Sequence, residues 1–353
     1  MIFVLSNYAS NVISAKVRAM YGKRITSQDY NNLMACATVT DVAVYLKNNT
    51  HYSSELAGVN ELDINRNQLE NIIRKKLFHE LEMLCRYEIS TGNSLAEYTI
   101  VRTEIEQLIH SLMYLASGNP YGYIYSLPMF FNKRTKIDLL GLTSIKNYDD
   151  FLNVLKNSPY AELLAKHKPQ KGQVLDLSAI EKTLYNYLYG KFFDALKKNT
   201  SKKVRDELSE ILDSYIDYSN FVRIVRLKRN NSKVKSAVLN YGTVKAKYID
   251  EMCKAKDEKQ VFSIMENTNR GKKLKKIDFN YVDELPDRML YDKCRNSIRF
   301  SVHPSVIMLS YIFLLQIEIQ NLTTIIEGVR YNVHKSEIEN LLILKNQNRE
   351  VVV

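Results

Sequence analysis

The sequence predicts an all-helical protein. The chain has 353 residues but only 11 glycines and 6 prolines, and folds rich in sheets and loops need more turn residues than that. Apolar residues make up 45% and charged residues 25%, as in ordinary globular domains. Apolar residues at helical spacing and two motifs that each occur three times favour the same fold class. The length suffices for one large domain or two to three small ones.

The clearest predicted helix spans residues 67–88. Its apolar residues recur at steps of three and four, which places them on one stripe of a helix. These residues are Leu69, Ile72, Ile73, Leu77, Leu81 and Leu84. Further long helices are predicted at residues 95–116, 178–197, 201–229, 285–295 and 304–330. The six helices form three consecutive pairs, and this regular succession calls for a search for internal repeats.

The second helix of each pair carries an acid followed three positions later by an amide. The pairs are Glu104 and Gln107, Asp217 and Asn220, and Glu318 and Asn321. Positions i and i+3 share one helix face, so each pair can hydrogen-bond a neighbouring helix or loop. Because buried polar groups are normally satisfied, we expect structural anchors that act inside their own repeat. A catalytic carboxylate is the minor alternative.

A second motif alternates with the first. Leu46, Leu155 and Met265 correspond, and the residues two positions later are Asn48, Asn157 and Asn267, which we count among the structural anchors. Tyr52 and Tyr160 correspond as well, whereas the third copy has no tyrosine at this point. Because two motifs alternate three times in the same order, we predict three similar helical units with the boundaries 1–117, 118–230 and 231–353.

The sequence lacks the patterns of catalytic and metal sites. It contains no GxxxxGK[ST] phosphate loop, no GxGxxG and no GxSxG, and its six histidines are scattered, whereas metal sites need several converging ligands. The four cysteines stand far apart, which favours neither a disulfide framework nor a zinc site and fits a reducing cytoplasm. We therefore predict no catalytic residue, no cofactor and no metal.

The most apolar stretch covers residues 306–317 and is followed directly by Glu318. A membrane span needs about 20 apolar residues, so this stretch predicts a buried core helix. The start of the chain has no basic region followed by an apolar run, and we predict no signal peptide. The chain is expected to be soluble, or at most peripheral to a membrane.

The net charge of +11 favours an acidic partner, a nucleic acid or an anionic membrane surface. One basic run supplies candidate partner contacts, namely Arg223, Arg226, Lys228, Arg229, Lys233 and Lys235. No nucleic-acid-reading motif accompanies the run, so we expect it to serve assembly at the end of a packed helix. The alternative is a basic helical nucleic-acid-binding adaptor, and a helical enzyme without a recognisable motif is a third, weaker reading.

Two segments carry a resemblance to a known family. DYSNFVRIVRLKRN, residues 217–230, and IEIQNLTTIIEGVRYN, residues 317–332, resemble the C subunit of bacterial and archaeal V/A-type ATPases, which is called the d subunit in eukaryotic vacuolar ATPases. The opening helix, with Arg18-Ala19-Met20, is similar to that family too. The resemblance implies three similar helical domains in a funnel with pseudo-threefold symmetry.

The resemblance also implies a function. Members of this family are non-catalytic rotor subunits of the central stalk, and they join the shaft to the membrane proteolipid ring during ATP-linked proton or sodium transport. We therefore expect shaft subunits and the ring as partners, no nucleic acid, and a peripheral position on the cytoplasmic face of the membrane. In isolation we expect a monomer.

Overall fold

The structure is a computed structural model that describes residues 2–87, 91–170, 172–230, 237–274 and 279–344. Every regular element in these ranges is a helix, so the predicted all-helical class is confirmed. The α-helices are α1 Ile2–Gly22, α2 Ser27–Met34, α3 Val39–Asn49, α4 Arg66–Cys85, α5 Gly92–Ala116, α6 Tyr148–Val154, α7 Tyr160–Ala165, α8 Leu177–Asn199, α9 Lys202–Arg229, α10 Ala246–Lys254, α11 Glu258–Glu266, α12 Leu285–Phe300, α13 Pro304–Arg330 and α14 Lys335–Leu341. Short 3₁₀ helices span residues 61–63, 120–126, 129–131, 141–144, 271–273 and 279–284.

All six predicted long helices are present, as α4, α5, α8, α9, α12 and α13. The helix α13 begins and ends at the predicted residues. Pro304 stands in its first turn, where a missing N–H is harmless and the fixed φ suits a helix. The helix α12 continues past the predicted end at Arg295 to Phe300.

Three short helices, α3, α6 and α11, begin in the same way. In each, a polar side chain before the first turn accepts a hydrogen bond from the backbone N–H three residues later. The pairs are Thr38 with Asp41 at 3.1 Å, Asn147 with Asp150 at 2.9 Å, and Asp257 with Gln260 at 2.9 Å. A cap of this kind stabilises a helix start by about 1 kcal/mol, which is a large contribution for helices of this length.

The chain divides into two compact units. Unit 1 comprises residues 1–95, 199–215 and 274–353, and unit 2 comprises residues 96–198 and 216–273. The helices α5 and α9 begin in unit 1 and continue in unit 2. The predicted three-repeat division stays a prediction, because several repeats can contribute to one compact unit.

The helix α13 is the core of unit 1. Twenty of its 27 residues are buried, and it contacts α1, α2, α3, α4, α12 and α14. Among the described helices it is the one with the length and hydropathy of a membrane span, yet 83% of its most apolar window is buried inside the protein. The stretch 306–317 is therefore the core helix that its short length predicted.

Aromatic contacts hold the long helices of unit 2 together. The Tyr98 ring on α5 lies 4.8 Å from the Phe192 ring on α8, measured between centroids. Phe221 on α9 meets Phe262 on α11 edge to face at 5.0 Å. Such offset and edge-on pairs add about 0.5–1.5 kcal/mol beyond the burial of their surface.

Candidate functional site: three buried acid clusters

The acid and the amide of all three first-motif copies are buried, with exposures between 2% and 7%. Each acid accepts hydrogen bonds from two segments that are distant in sequence. We name the resulting groups after their acids. The Glu104 cluster contains Thr135 and Tyr160, the Asp217 cluster contains Thr243, Val244 and Arg270, and the Glu318 cluster contains Ile25, His51 and Tyr52.

The Glu104 cluster, in unit 2, uses two hydroxyl donors. Thr135 Oγ1 donates to Glu104 Oε1 at 2.6 Å, and the Tyr160 hydroxyl donates to Oε2 at 2.5 Å. Burial raises the pKa of Tyr160 above its ordinary value of 10.0, and the Glu104 carboxylate raises it further. The Tyr160 hydroxyl therefore keeps its proton and remains a donor at neutral pH.

The Asp217 cluster, also in unit 2, satisfies its carboxylate with four donors. The Thr243 N–H and Oγ1 lie at 2.8 and 2.7 Å, the Val244 N–H at 3.0 Å, and Arg270 Nε at 2.9 Å. Asp217 is 2% exposed and Arg270 7%. The two side chains thus form a buried ion pair, which is stable when hydrogen bonds satisfy the remaining lone pairs.

Gly242 allows the backbone to approach Asp217 this closely. Its φ of +104° lies in a region that residues with a side chain rarely adopt. A Cβ added at this position would collide with Asp217 Oδ1. Glycine is therefore required if the N–H groups of Thr243 and Val244 are to reach the carboxylate.

The Glu318 cluster joins the two ends of the chain within unit 1. The Ile25 N–H donates to Glu318 Oε2 at 2.9 Å, while His51 Nε2 and the Tyr52 hydroxyl contact Oε1 at 2.7 and 3.0 Å. Burial, and after it the Glu318 carboxylate, raises the pKa of Tyr52 well above 10.0. Tyr52 is thus a permanent donor, like Tyr160.

The spacing of the donors shows that the three clusters are equivalent. Within each cluster, the two donor segments stand 25, 27 and 27 residues apart, at Thr135 and Tyr160, Thr243 and Arg270, and Ile25 and Tyr52. Arg270 therefore occupies the place of the tyrosine that the third copy of the second motif lacks. Sequence reasoning missed this residue. A signal was present, because Arg270 stands five positions after Met265, just as Tyr160 stands five positions after Leu155.

The expectation that each acid acts inside its own predicted repeat is wrong. The partners of Glu104 lie in 118–230, those of Asp217 lie in 231–353, and those of Glu318 lie in 1–117. Each acid thus binds the next predicted repeat in chain order, and the third acid binds the first repeat.

The amides of α9 and α13 each bind the segment that follows their own helix, and in α9 this explains why the acid meets the next repeat. Asn220 exchanges two hydrogen bonds with the backbone of Leu239, at 2.8 and 3.1 Å. Asn321 does the same with Ile343, at 2.9 and 3.0 Å. One turn before Asn220, Asp217 binds residues 243–244. The chain after α9 therefore runs back along that helix and meets the acid last.

Gln107 differs from the two asparagines in its partner. Its Oε1 accepts a hydrogen bond from the Tyr123 hydroxyl at 3.1 Å. Tyr123 is fully buried and belongs to the 3₁₀ segment 120–126, which follows α5. The amide thus anchors the following segment in this copy too, but through a side chain.

The asparagines of the second motif, Asn48, Asn157 and Asn267, are exposed and are not brought to the acids. The nearby hydroxyl residues make the buried contacts instead. Thr50, Ser158 and Thr268 donate to the carbonyls of Leu46, Leu155 and Met265 at 2.6, 2.7 and 2.7 Å. These bonds lie at the C-terminal ends of α3, α6 and α11. The residues that contact the acids, Tyr52, Tyr160 and Arg270, follow two positions later.

Most of the described basic run is engaged inside unit 2. Arg223 pairs with Glu181, Lys228 Nζ donates to the Cys253 carbonyl at 2.8 Å, and Arg229 Nε lies 2.5 Å from Glu258 Oε2. Arg226 is exposed. Lys233 and Lys235 lie outside the described residues. Three of the four described basic residues are therefore engaged with protein groups.

The three clusters can hold segments together, and their chemistry indicates no further reaction. In the part of the chain that the structure describes, no three His, Cys, Asp or Glu side chains form a metal-binding arrangement. Each acid accepts hydrogen bonds from protein donors on both carboxylate oxygens, as expected for a structural carboxylate.

Comparisons with known proteins cover nearly the whole chain. A sequence model of the family described as ATP synthase (C/AC39) subunit matches residues 13–341. The chain is 22% identical over 342 residues to the C subunit of the A-type ATP synthase of Pyrococcus horikoshii, covering 93% of this chain and 89% of the relative. The corresponding protein of Thermococcus onnurineus is 21% identical over 340 residues, covering 93% and 88%. That of a Desulfurococcus species is 20% identical over 339 residues, covering 93% and 89%.

Proposed function

Because the chain belongs to the family of ATP synthase (C/AC39) subunits, we propose that it is a non-catalytic central-stalk subunit of a V/A-type rotary ATPase. It joins the central shaft to the membrane proteolipid ring and passes torque between them while ions are transported. Its three repeats surround a pseudo-threefold axis as a funnel. It sits as a peripheral protein on the cytoplasmic face of the membrane.

The Glu318 cluster is the observation that carries this proposal. It joins segments that lie 266 and 293 residues away along the chain, through three hydrogen bonds on one carboxylate, of which those from Tyr52 and Ile25 are buried. Bonds to a charged group are worth about 1.5–3 kcal/mol each when buried. A body that transmits torque without chemistry must resist sliding between its segments, and bonds of this kind supply that resistance.

An exposed apolar surface in unit 2 supports a role in assembly. Tyr121, Ile124, Tyr125, Met129 and Leu140 are all more than half exposed, and the 3₁₀ segments 120–126 and 141–144 contact each other. Grouped exposed apolar side chains mark interaction sites, and tyrosine and methionine are enriched at protein interfaces. We assign this surface, residues 121–140, to contact with another protein of the ATPase complex.

Co-purification tests the proposal. The affinity-tagged chain is expressed in its native host, and the membranes are solubilised in mild detergent. It should then co-purify with the proteolipid ring and the shaft subunits. The double substitution Ile124→Ser and Tyr125→Ser should reduce that recovery. Val174→Ser is the matched control, because Val174 is 92% exposed in unit 2 and lies outside the surface. The proposal would be contradicted if the wild-type chain brought down neither the proteolipid ring nor the shaft subunits.

The nucleic-acid alternative has less support, because Arg223, Lys228 and Arg229 are engaged with protein groups. A mobility-shift assay at physiological salt separates the two readings. Tight binding to duplex or single strands, together with normal ATPase assembly after Arg226→Glu, would favour the alternative.

A further inference from the structure

Five side chains of unit 1 have buried hydrogen-bonding atoms without a partner among the described residues. Two of them lie on neighbouring helices: Tyr21 on α1, through its hydroxyl, and Arg295 on α12, through Nε and Nη1. Tyr21 is 8% exposed. An unsatisfied buried polar group costs about 1–3 kcal/mol, and more when it is charged. Three such atoms on two neighbouring helices therefore indicate that something else binds there.

A cavity lies beside Tyr21. It holds about 40 Å³ and is lined in part by Tyr21, Arg24, Tyr291 and Glu318. A single water needs roughly 10–15 Å³ by the same measure, so the cavity accepts either a few waters or one small ion. Glu318 is the acid of this wall, and its carboxylate already accepts three hydrogen bonds.

The helices α1 and α12 are held side by side at this point. Arg18 Nε and Nη2 donate to the carbonyls of Ile298 and Ser301, both at 2.8 Å. Tyr21 is one turn beyond Arg18, and Arg295 is one turn before Ile298 and Arg299. The Arg18 contacts thus bring the Tyr21 hydroxyl and the guanidinium of Arg295 to the same region of the interface.

Three arginines lie near Tyr21. The Arg24 guanidinium lies 4.4 Å from the centre of the Tyr21 ring, and that of Arg295 lies 6.0 Å from the centre of the Tyr291 ring. Burial and Tyr291 raise the pKa of Tyr21, whereas Arg24, Arg295 and Arg299 act in the opposite direction. Asp292 is the acid next to Arg295, and burial raises its pKa. Three guanidinium groups therefore face two carboxyls, those of Asp292 and Glu318, which leaves one positive charge in excess.

We propose that Tyr21, Arg24, Arg295 and Arg299 form a binding site for a small tetrahedral oxyanion of the phosphate class. Guanidinium groups recognise phosphate oxygens through paired N–H donors, and Arg295 has two such donors without a protein partner. A singly charged phosphate group matches this excess of one positive charge. The phosphate is either inorganic or the headgroup of an anionic lipid, and it joins α1 to α12.

Calorimetric titration of the purified full chain with inorganic phosphate tests the site. Wild type should bind one equivalent saturably. Arg295→Met should weaken the affinity about tenfold or more, which corresponds to about 1.4 kcal/mol. Arg330→Met is the matched control, since it removes the same charge from an exposed position at the end of α13 of unit 1. It should bind phosphate as wild type does. If Arg295→Met does not fold, Arg299→Met carries the same comparison.

Tyr21→Phe distinguishes an anion from trapped water. In phosphate-free buffer this variant should melt no lower than wild type, because the lost hydroxyl had no partner, yet its phosphate affinity should fall. Co-sedimentation with phosphatidylcholine vesicles, with and without phosphatidic acid, identifies the source. Binding that needs phosphatidic acid and is lost in Arg295→Met assigns the site to a headgroup.

The proposal is overturned by either of two results. One result is that wild type binds neither phosphate nor phosphatidic acid vesicles, or that it binds them with the same affinity as Arg295→Met. The other is a lower melting temperature of Tyr21→Phe in phosphate-free buffer with unchanged phosphate affinity, which would assign the hydroxyl to a structural water.

Discussion

Replacing Asp217 by alanine should be among the most destabilising single changes in unit 2. Loss of a neutral buried hydrogen bond costs about 1–3 kcal/mol. Here the substitution also leaves Arg270, which is 7% exposed, as a buried charge without its carboxylate. Removing one partner of a buried ion pair costs about 3–5 kcal/mol. We therefore expect a loss of about 3–5 kcal/mol in the free energy of unfolding.

Urea unfolding followed by far-ultraviolet circular dichroism measures this loss. Asp217→Asn is the matched comparison, because it keeps the shape and one acceptor oxygen but removes the charge, so its loss should be smaller. The double variant Asp217→Ala with Arg270→Met completes a thermodynamic cycle. Since it removes both charges, it should be less destabilised than the sum of the single variants, by about 0.5–3 kcal/mol.

Two outcomes would refute this reasoning. A loss of less than about 1 kcal/mol for Asp217→Ala would mean that the carboxylate is not a buried anchor. Additive single losses would mean that Arg270 is held by other groups and that the ion pair contributes little.

Further predictions concern the same clusters. Gly242→Ala should destabilise unit 2 by about 1–3 kcal/mol, through its positive φ and the collision with Asp217, and an unchanged urea midpoint would contradict this. Burial raises the pKa of Tyr148 from 10.0 to about 12. The folded state then holds a proton that the unfolded state loses, so stability should fall as pH rises from 10 towards 12. Tyr148→Phe should flatten that slope in urea unfolding series at several pH values, and an identical slope would count against the raised pKa. Glu318→Ala should speed amide hydrogen exchange in residues 25–52, and unchanged protection there would argue against the anchor.

The long helices were predictable because their information is local. Apolar periodicity set the position of α4, and Pro304 marked the start of α13 within a residue. The end of α12 was not predictable in this way. Its last turn is held by Arg18, whose donors reach the carbonyls of Ile298 and Ser301 from about 280 residues away. No pattern within residues 285–300 contains that contact.

In the candidate site, too, the features encoded locally were predictable and those that depend on distant contacts were not. The acids and amides were visible as a repeated pattern, and their burial follows from the apolar residues around them. Their partners depend on how the chain returns along each helix, which sequence spacing does not determine. Arg270 is an example. It stands at the position that corresponds to Tyr52 and Tyr160 and binds the acid as they do, but it is not a tyrosine. The asparagine that follows Leu46, Leu155 or Met265 repeats equally well, yet it is exposed.

The order of the hydrogen bonds supports the proposed threefold arrangement. With the predicted boundaries, Glu104 binds the second repeat, Asp217 binds the third, and Glu318 binds the first. The first two links join segments that are also connected by a short stretch of chain. Glu318 lies more than 260 residues along the chain from Ile25 and Tyr52, so the third link has no such connection and depends on contacts such as those of the Glu318 carboxylate. Its donors are a backbone N–H, a histidine and a tyrosine. Under the proposed function and the proposed threefold arrangement, a series of repeats in which the last binds the first has no free end, and each link then shares an applied torque with the others.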